Sequence, residues 1–198
     1  MNRLAYIFVP GVLNFPSSAS AWTDRAVTWI HVRQACEAAE KFEYLALPLS
    51  RRILAERRAE QLAALIERYP IDTFSLVVVG HSNGCDVILR ALWRATRPAN
   101  FVHFFAPAIA VNPRQHRLVR QLREGRIGFL NIHLAGRDRV LDRGFLGGAG
   151  ADAVRSQFAE EHHTTIHSDP RHGHSTYWAP AHFEDTMRRI AGPFGGTP

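Results

Sequence analysis

Ser82 lies in the run Val77-Val78-Val79-Gly80-His81-Ser82-Asn83-Gly84-Cys85, with a glycine two residues to either side. An apolar stretch precedes this G-x-S-x-G spacing and a helical pattern follows it, the context in which such a serine is lifted to the tip of a sharp turn. Gly80 and Gly84 remove side chains where strand and helix come close. Ser82 is expected in a backbone region that only its surroundings can enforce. The Asn83 N–H, at the start of the helix, is then placed to stabilise an oxyanion. The chemistry this suits is attack of a serine hydroxyl on an acyl carbonyl. The segment contains neither G-x-G-x-x-G nor G-K-[ST], so it does not read as a dinucleotide or P-loop site. Cys85, on the helix after the turn, reads as packed core.

The elements that must carry this serine alternate along the chain. Short apolar runs at 4–9, 42–47, 74–79, 101–106, 129–135 and, more weakly, 162–167 read as strands. Between and after them, helical patterns cover 20–39, 51–69, 83–95, 115–123 and 180–190. The clearest helix is 51–69, where Leu54, Leu62, Leu65 and Ile66 form one stripe with Ile53 beside it. Residues 136–150, rich in glycine and arginine, read as a loop with at most one helical turn. Strands alternating with helices imply an α/β three-layer sandwich: a mostly parallel six-stranded sheet with helices on both faces.

The elbow and the elements after it resemble the α/β-hydrolase family, over essentially the whole chain. The six strands look like that family's sheet without its first two antiparallel strands, as in its compact single-domain esterases and lipases. The resemblance implies a nucleophile, an acid and a histidine in that order along the chain. Asp138, in Gly136-Arg137-Asp138-Arg139-Val140, follows the strand at 129–135, so it lies on the same sheet edge as Ser82. This segment is one residue shorter on each side of the acid than the family's G-x-x-D-x-x-V pattern. Asp138 is the expected acid and Asp142 the reserve.

For the base, the family's position falls on His174, in His172-Gly173-His174-Ser175-Thr176-Tyr177-Trp178, ahead of His172 and His182. His81 is read as packing beside the strand end. A second oxyanion donor is needed from the loop after the first strand, where Gly11 permits close approach. By resemblance Val12 supplies that N–H, with Leu13 the alternative. An apolar pocket wall is expected from Leu13, Phe15, Trp22, Phe145, Leu146 and Trp178. The stretch from 107 to 128 has no room for a large cap, so the substrate expected is a small acyl ester. No cofactor is required by this chemistry. A thioesterase or amidase of the same fold is the alternative, and a non-catalytic binding protein on that fold is a second.

Composition places few further demands. The chain has 198 residues, enough to bury a core as one domain over 1–198. Cys36 and Cys85 make no disulfide framework, which suits a reducing, cytoplasmic setting. No apolar run is long enough to span a membrane. The 24 basic residues outweigh 18 acidic ones, and all but Lys41 are arginine. They are scattered instead of striped, so no nucleic-acid partner is expected; the helix carrying Arg117, Arg120 and Arg123, with Arg114 before it, is the place a basic surface could act. The eleven histidines lack H-E-x-x-H or any regular metal spacing, so no metal is expected.

Overall fold

A computed structural model describes residues 3–11, 21–33, 36–44, 55–109, 114–142 and 163–192. Its centre is a six-stranded sheet in the order β2-β1-β3-β4-β5-β6. The strands are β1 (Arg3–Val9), β2 (Ala38–Lys41), β3 (Phe74–His81), β4 (Ala99–Phe105), β5 (Ile127–Ala135) and β6 (Thr164–Asp169). Every pairing between them is parallel. β3 lies between β1 and β4, and Leu76, Val77, Val78 and Val79 are fully buried. That is why this strand reads as a continuous apolar run and not as an alternation.

Helices cover both faces. On one side α2 (Ala55–Glu67) and α3 (Asn83–Arg94) pack Leu62, Ile66, Val87, Ile88 and Leu92 against alternate residues of β1, β3, β4 and β5. α4 (Arg114–Arg123) adds Val119 and Leu122 to that layer. On the other, α1 (Ala21–Arg33) and α6 (Pro180–Ala191) bring Trp22, Ala26, Ile30, Met187 and Ile190 onto Tyr6, Phe8, Val77 and Val79. Each fully buried Leu or Ile of these stripes contributes on the order of 1.5–3 kcal/mol. A short helix, α5 (Arg139–Asp142), follows β5, and a 3₁₀ turn (Thr176–Trp178) precedes α6.

The second strand departs from the sequence expectation. The helix was expected to run to residue 39 with a strand at 42–47, but α1 ends at Arg33 and β2 occupies Ala38–Lys41. Ala38, Ala39, Glu40 and Lys41 are helix formers, yet the outer edge of β1 offers a row of backbone partners, and pairing overrides propensity. Phe42 extends that contact by donating its N–H to Phe8 at 2.8 Å.

The chain places β2 on one side of β1 and then crosses to β3 on the other. The carboxyl ends of β1 and β3 therefore lie side by side at the point where strand order reverses, where open α/β sheets place their ligands.

Candidate active site at the carboxyl edge of the sheet

The turn from β3 into α3 holds Ser82 at φ 54° and ψ −124°. A non-glycine residue in this region costs about 1–3 kcal/mol, so other contacts must hold it. Three backbone bonds do so. Ser82 donates its N–H to Phe105 at 3.0 Å, and its carbonyl accepts from Cys85 at 3.1 Å and Ala108 at 3.1 Å. Ala106, itself at φ 43°, turns the chain after β4 so that Ala108 reaches back to the serine.

Two glycines let the backbones close around this turn. A Cβ on Gly84 would lie 2.5 Å from the carbonyl oxygens of Val9 and Pro10, and one on Gly11 would lie 2.8 Å from Ser82 Cβ. The end of β1 is thus pressed onto the serine and the first turn of α3. Tyr44 fixes it there, donating its hydroxyl to the Pro10 carbonyl at 2.5 Å, while the Asn83 side-chain amide reaches the same hydroxyl. Burial pushes the Tyr44 phenol upward, so it remains a donor. The Asn83 N–H belongs to the first helical turn, where backbone donors have no intrahelical acceptor.

Asp138 and His174, 36 residues apart, meet on this edge with Nδ1 of the histidine 2.8 Å from Oδ2 of the aspartate. The other carboxylate oxygen accepts the backbone N–H groups of Val140 at 3.2 Å and Leu141 at 3.0 Å, so Asp138 caps α5. A carboxylate can only accept, which puts the proton on His174 Nδ1 and leaves Nε2 as the basic nitrogen of the neutral ring. Ser82 Oγ is buried and has no hydrogen-bond partner among the described residues, so the serine–histidine bond is not made in this state.

The reserve histidines go elsewhere. His172 is buried, its Nδ1 lies 3.8 Å from Asp169, and its carbonyl accepts the Arg137 N–H. His182 packs its ring against that of His172, 4.7 Å between centroids. The Asp142 side chain, Val12, Leu13, Phe15, Phe145 and Leu146 lie outside the described residues. Trp178 is 5% exposed and stacks on Trp22 at 3.7 Å, which places both indoles with the core beneath the edge.

Sequence reasoning did not anticipate the contacts of Tyr44 or His81. His81 is buried, and its Nε2 lies 2.8 Å from the His174 carbonyl. Neither residue has a local signal for this, since each partner is distant in the chain. Among the described residues no group of three or more His, Cys, Asp or Glu is arranged to hold a metal. No described helix is long and apolar enough to cross a membrane.

No family model matches the chain, and no curated protein matches it. Solved structures do. A Xanthomonas campestris pv. campestris protein assigned to the hydrolases of the α/β superfamily superposes with a TM-score of 0.66 at 15% identity, covering 96% of each chain. The fold is that of the α/β hydrolases. Carboxyl esterase 2 of Tuber melanosporum matches at TM-score 0.61 and 13% identity, over 95% of this chain and 77% of its own. Acyl-protein thioesterase 2 of Zea mays matches at 0.58 and 12%, over 98% and 95%. At these identities the likeness is one of architecture.

Proposed function

We propose that this protein is a serine hydrolase that cleaves small carboxylic esters through an acyl-enzyme intermediate. The observation that carries this reading is the 2.8 Å bond between His174 Nδ1 and Asp138, formed on the same sheet edge as a serine held at positive φ. With Nδ1 committed to the carboxylate, His174 Nε2 is free to take the Ser82 proton as Oγ attacks the acyl carbonyl. Asp138 orients the ring and supports the imidazolium that forms. The Asn83 N–H, with a second N–H from Val12, holds the tetrahedral oxyanion. His174 then protonates the leaving alcohol and activates water, which releases the acid and restores Ser82.

The missing serine–histidine bond is compatible with this scheme, because catalytic hydrogen bonds are commonly long in the free enzyme and tighten when substrate arrives. The same chemistry can serve a thioester or an amide, so the leaving group is what the assay must decide.

The test is hydrolysis of acyl esters and thioesters of graded chain length by wild type and Ser82→Ala, with labelling by a serine-directed phosphonate. Turnover by wild type is expected to drop by about a thousand-fold or more in the variant. A folded Ser82→Ala protein with wild-type rates, or a wild type that hydrolyses nothing and resists the probe, overturns the reading.

A further inference from the structure

His174 is tied at two points, and the mechanism above uses only one of them. Its ring is held by Asp138, while its backbone carbonyl is 2.8 Å from Nε2 of His81, the last residue of β3. A carbonyl only accepts, so His81 carries its proton on Nε2 and donates. The His81 ring has little freedom to do otherwise. It is 6% exposed, with Trp22 and Trp178 edge-on at 6.4 Å and 6.1 Å and the His174 ring tilted against it at 5.0 Å. Burial, with the neighbouring His174 adding to it, pushes its pKa down to about 3, so the ring stays neutral under ordinary conditions.

The segment around His174 needs such a tie. Gly173 donates its N–H to the Thr176 hydroxyl at 2.9 Å and Thr176 returns its own to the Gly173 carbonyl at 3.2 Å, closing a small turn on itself. The flanks of that turn are held on the β5 side, His172 through its carbonyl by the Arg137 N–H at 2.9 Å and Tyr177 through its hydroxyl to the Leu134 carbonyl at 2.9 Å. The His81 bond ties the turn to β3.

We propose that His81 is a positioning residue that sets where the His174 imidazole stands relative to Ser82, through the His174 carbonyl. This rests on the functional reading above. His81 directly precedes Ser82, so one short piece of β3 fixes both the nucleophile and the backbone of the base. A shift of the strand end moves the two together and preserves their separation. Without that bond the His174 segment is held from the β5 side alone and can shift relative to Ser82, and displacements near 1 Å are enough to slow such reactions by about a hundred-fold.

The experiment compares His81→Phe, which keeps a ring of similar volume between the tryptophans but removes the donor, with His81→Gln, which restores an N–H donor. With p-nitrophenyl acetate as substrate, His81→Phe is expected to keep KM within about two-fold while kcat falls about ten- to hundred-fold, and His81→Gln to recover most of that loss. Amide hydrogen exchange across residues 173–178 should quicken in His81→Phe and not in His81→Gln. If His81→Phe does not fold, His81→Leu serves as the donor-free variant. Wild-type kcat in the donor-free variant, or a glutamine variant as slow as it, overturns the proposal and leaves His81 as packing. Failure of the hydrolase reading looks different: wild type and Ser82→Ala then behave alike on the ester, while the exchange measurement still reports on the tie.

Discussion

Two groups of histidines gather around the same sheet, and they are built on opposite terms. At the carboxyl edge, His81 and His174 each commit one ring nitrogen to a 2.8 Å bond with a defined acceptor. Further across, His103, His133 and His167 form a file over β4, β5 and β6, with ring centroids 5.8 Å and 4.8 Å apart and planes within 11°. His103 and His133 are each 1% exposed, and all four of their ring nitrogens lack a hydrogen-bond partner among the described residues. Lone pairs lie in the ring plane, so parallel rings aim their nitrogens past one another and cannot converge on one ion or proton. Phe105 joins the same stack, 4.1 Å from His133 and 4° from parallel. A phenylalanine in the row shows what the histidines do there: they are aromatic slabs. The difference teaches that an imidazole becomes a candidate for chemistry through its partner and its place at a strand end, and that residue type alone says little.

The largest expected effect separates His174 from every other histidine. His174→Ala should lower kcat/KM for a short-chain ester by about a thousand-fold or more, with circular dichroism unchanged, since members of such a triad act as a unit. His182→Ala should cost little, because its ring is engaged with His172 and not with Asp138. A folded His174→Ala enzyme keeping more than about a tenth of wild-type kcat/KM would refute the assignment.

Acid sharpens the comparison from the stability side. Burial pushes His81 and His103 down to about 3 and holds His133 well below its ordinary value. These groups bind fewer protons folded than unfolded between their folded pKa values and about 6.5, the usual imidazole value. Their contribution is therefore fully present above that pH and is lost as pH falls toward the folded values, at up to about 1.4 kcal/mol per pH unit for each ring. Three rings depressed in the same direction give a steep dependence, so stability should fall markedly as the pH drops below about 6. Urea midpoints measured from pH 7.5 down to 4.5 read this directly. A midpoint constant over that range would mean the rings are protonated in the folded protein.

How much of this was legible in the sequence depends on how local each cause is. The β3 run and the elbow were legible because burial on both faces and the need for glycine beside Ser82 are written within a few residues. Asp138 was legible as a strand-end carboxylate despite its shortened spacing, and its capping of α5 gives that spacing a physical reason. β2 was not legible, because what makes Ala38–Lys41 a strand is the open edge of β1 and nothing in those four residues. The His81 bond spans 93 residues and the Tyr44 bond 34, so neither partner could be read from its neighbours. A strand position shows which way a side chain points, but the group it meets is set by tertiary packing.

The smallest expected effect tests the file itself. His103 stacks on Phe105 at 6.5 Å and on His133 at 5.8 Å, nearly parallel to both, and neither of its nitrogens is partnered among the described residues. Phenylalanine has nearly the same shape and no polar atoms to desolvate. Replacing a buried polar group that makes no hydrogen bond by an apolar one of similar shape is close to neutral or stabilising, so His103→Phe should change the folding free energy by no more than about 1 kcal/mol, in the stabilising direction. It should also remove one titrating ring, flattening the acid dependence by about 1.4 kcal/mol per pH unit below about pH 6. Ester hydrolysis should remain within about two-fold of wild type, because among the described residues this ring makes no direct bond to Ser82, Asp138 or His174, and its link to Ser82 runs through Phe105, which holds the serine by its backbone carbonyl. Urea unfolding at pH 7.5 and 5, with kcat/KM on the same samples, measures all three. A loss of more than about 2 kcal/mol at pH 7.5 would show that the ring nitrogens have a partner such as a buried water. A collapse in activity with the fold intact would put the file into the chemistry and dissolve the distinction between the two groups of histidines.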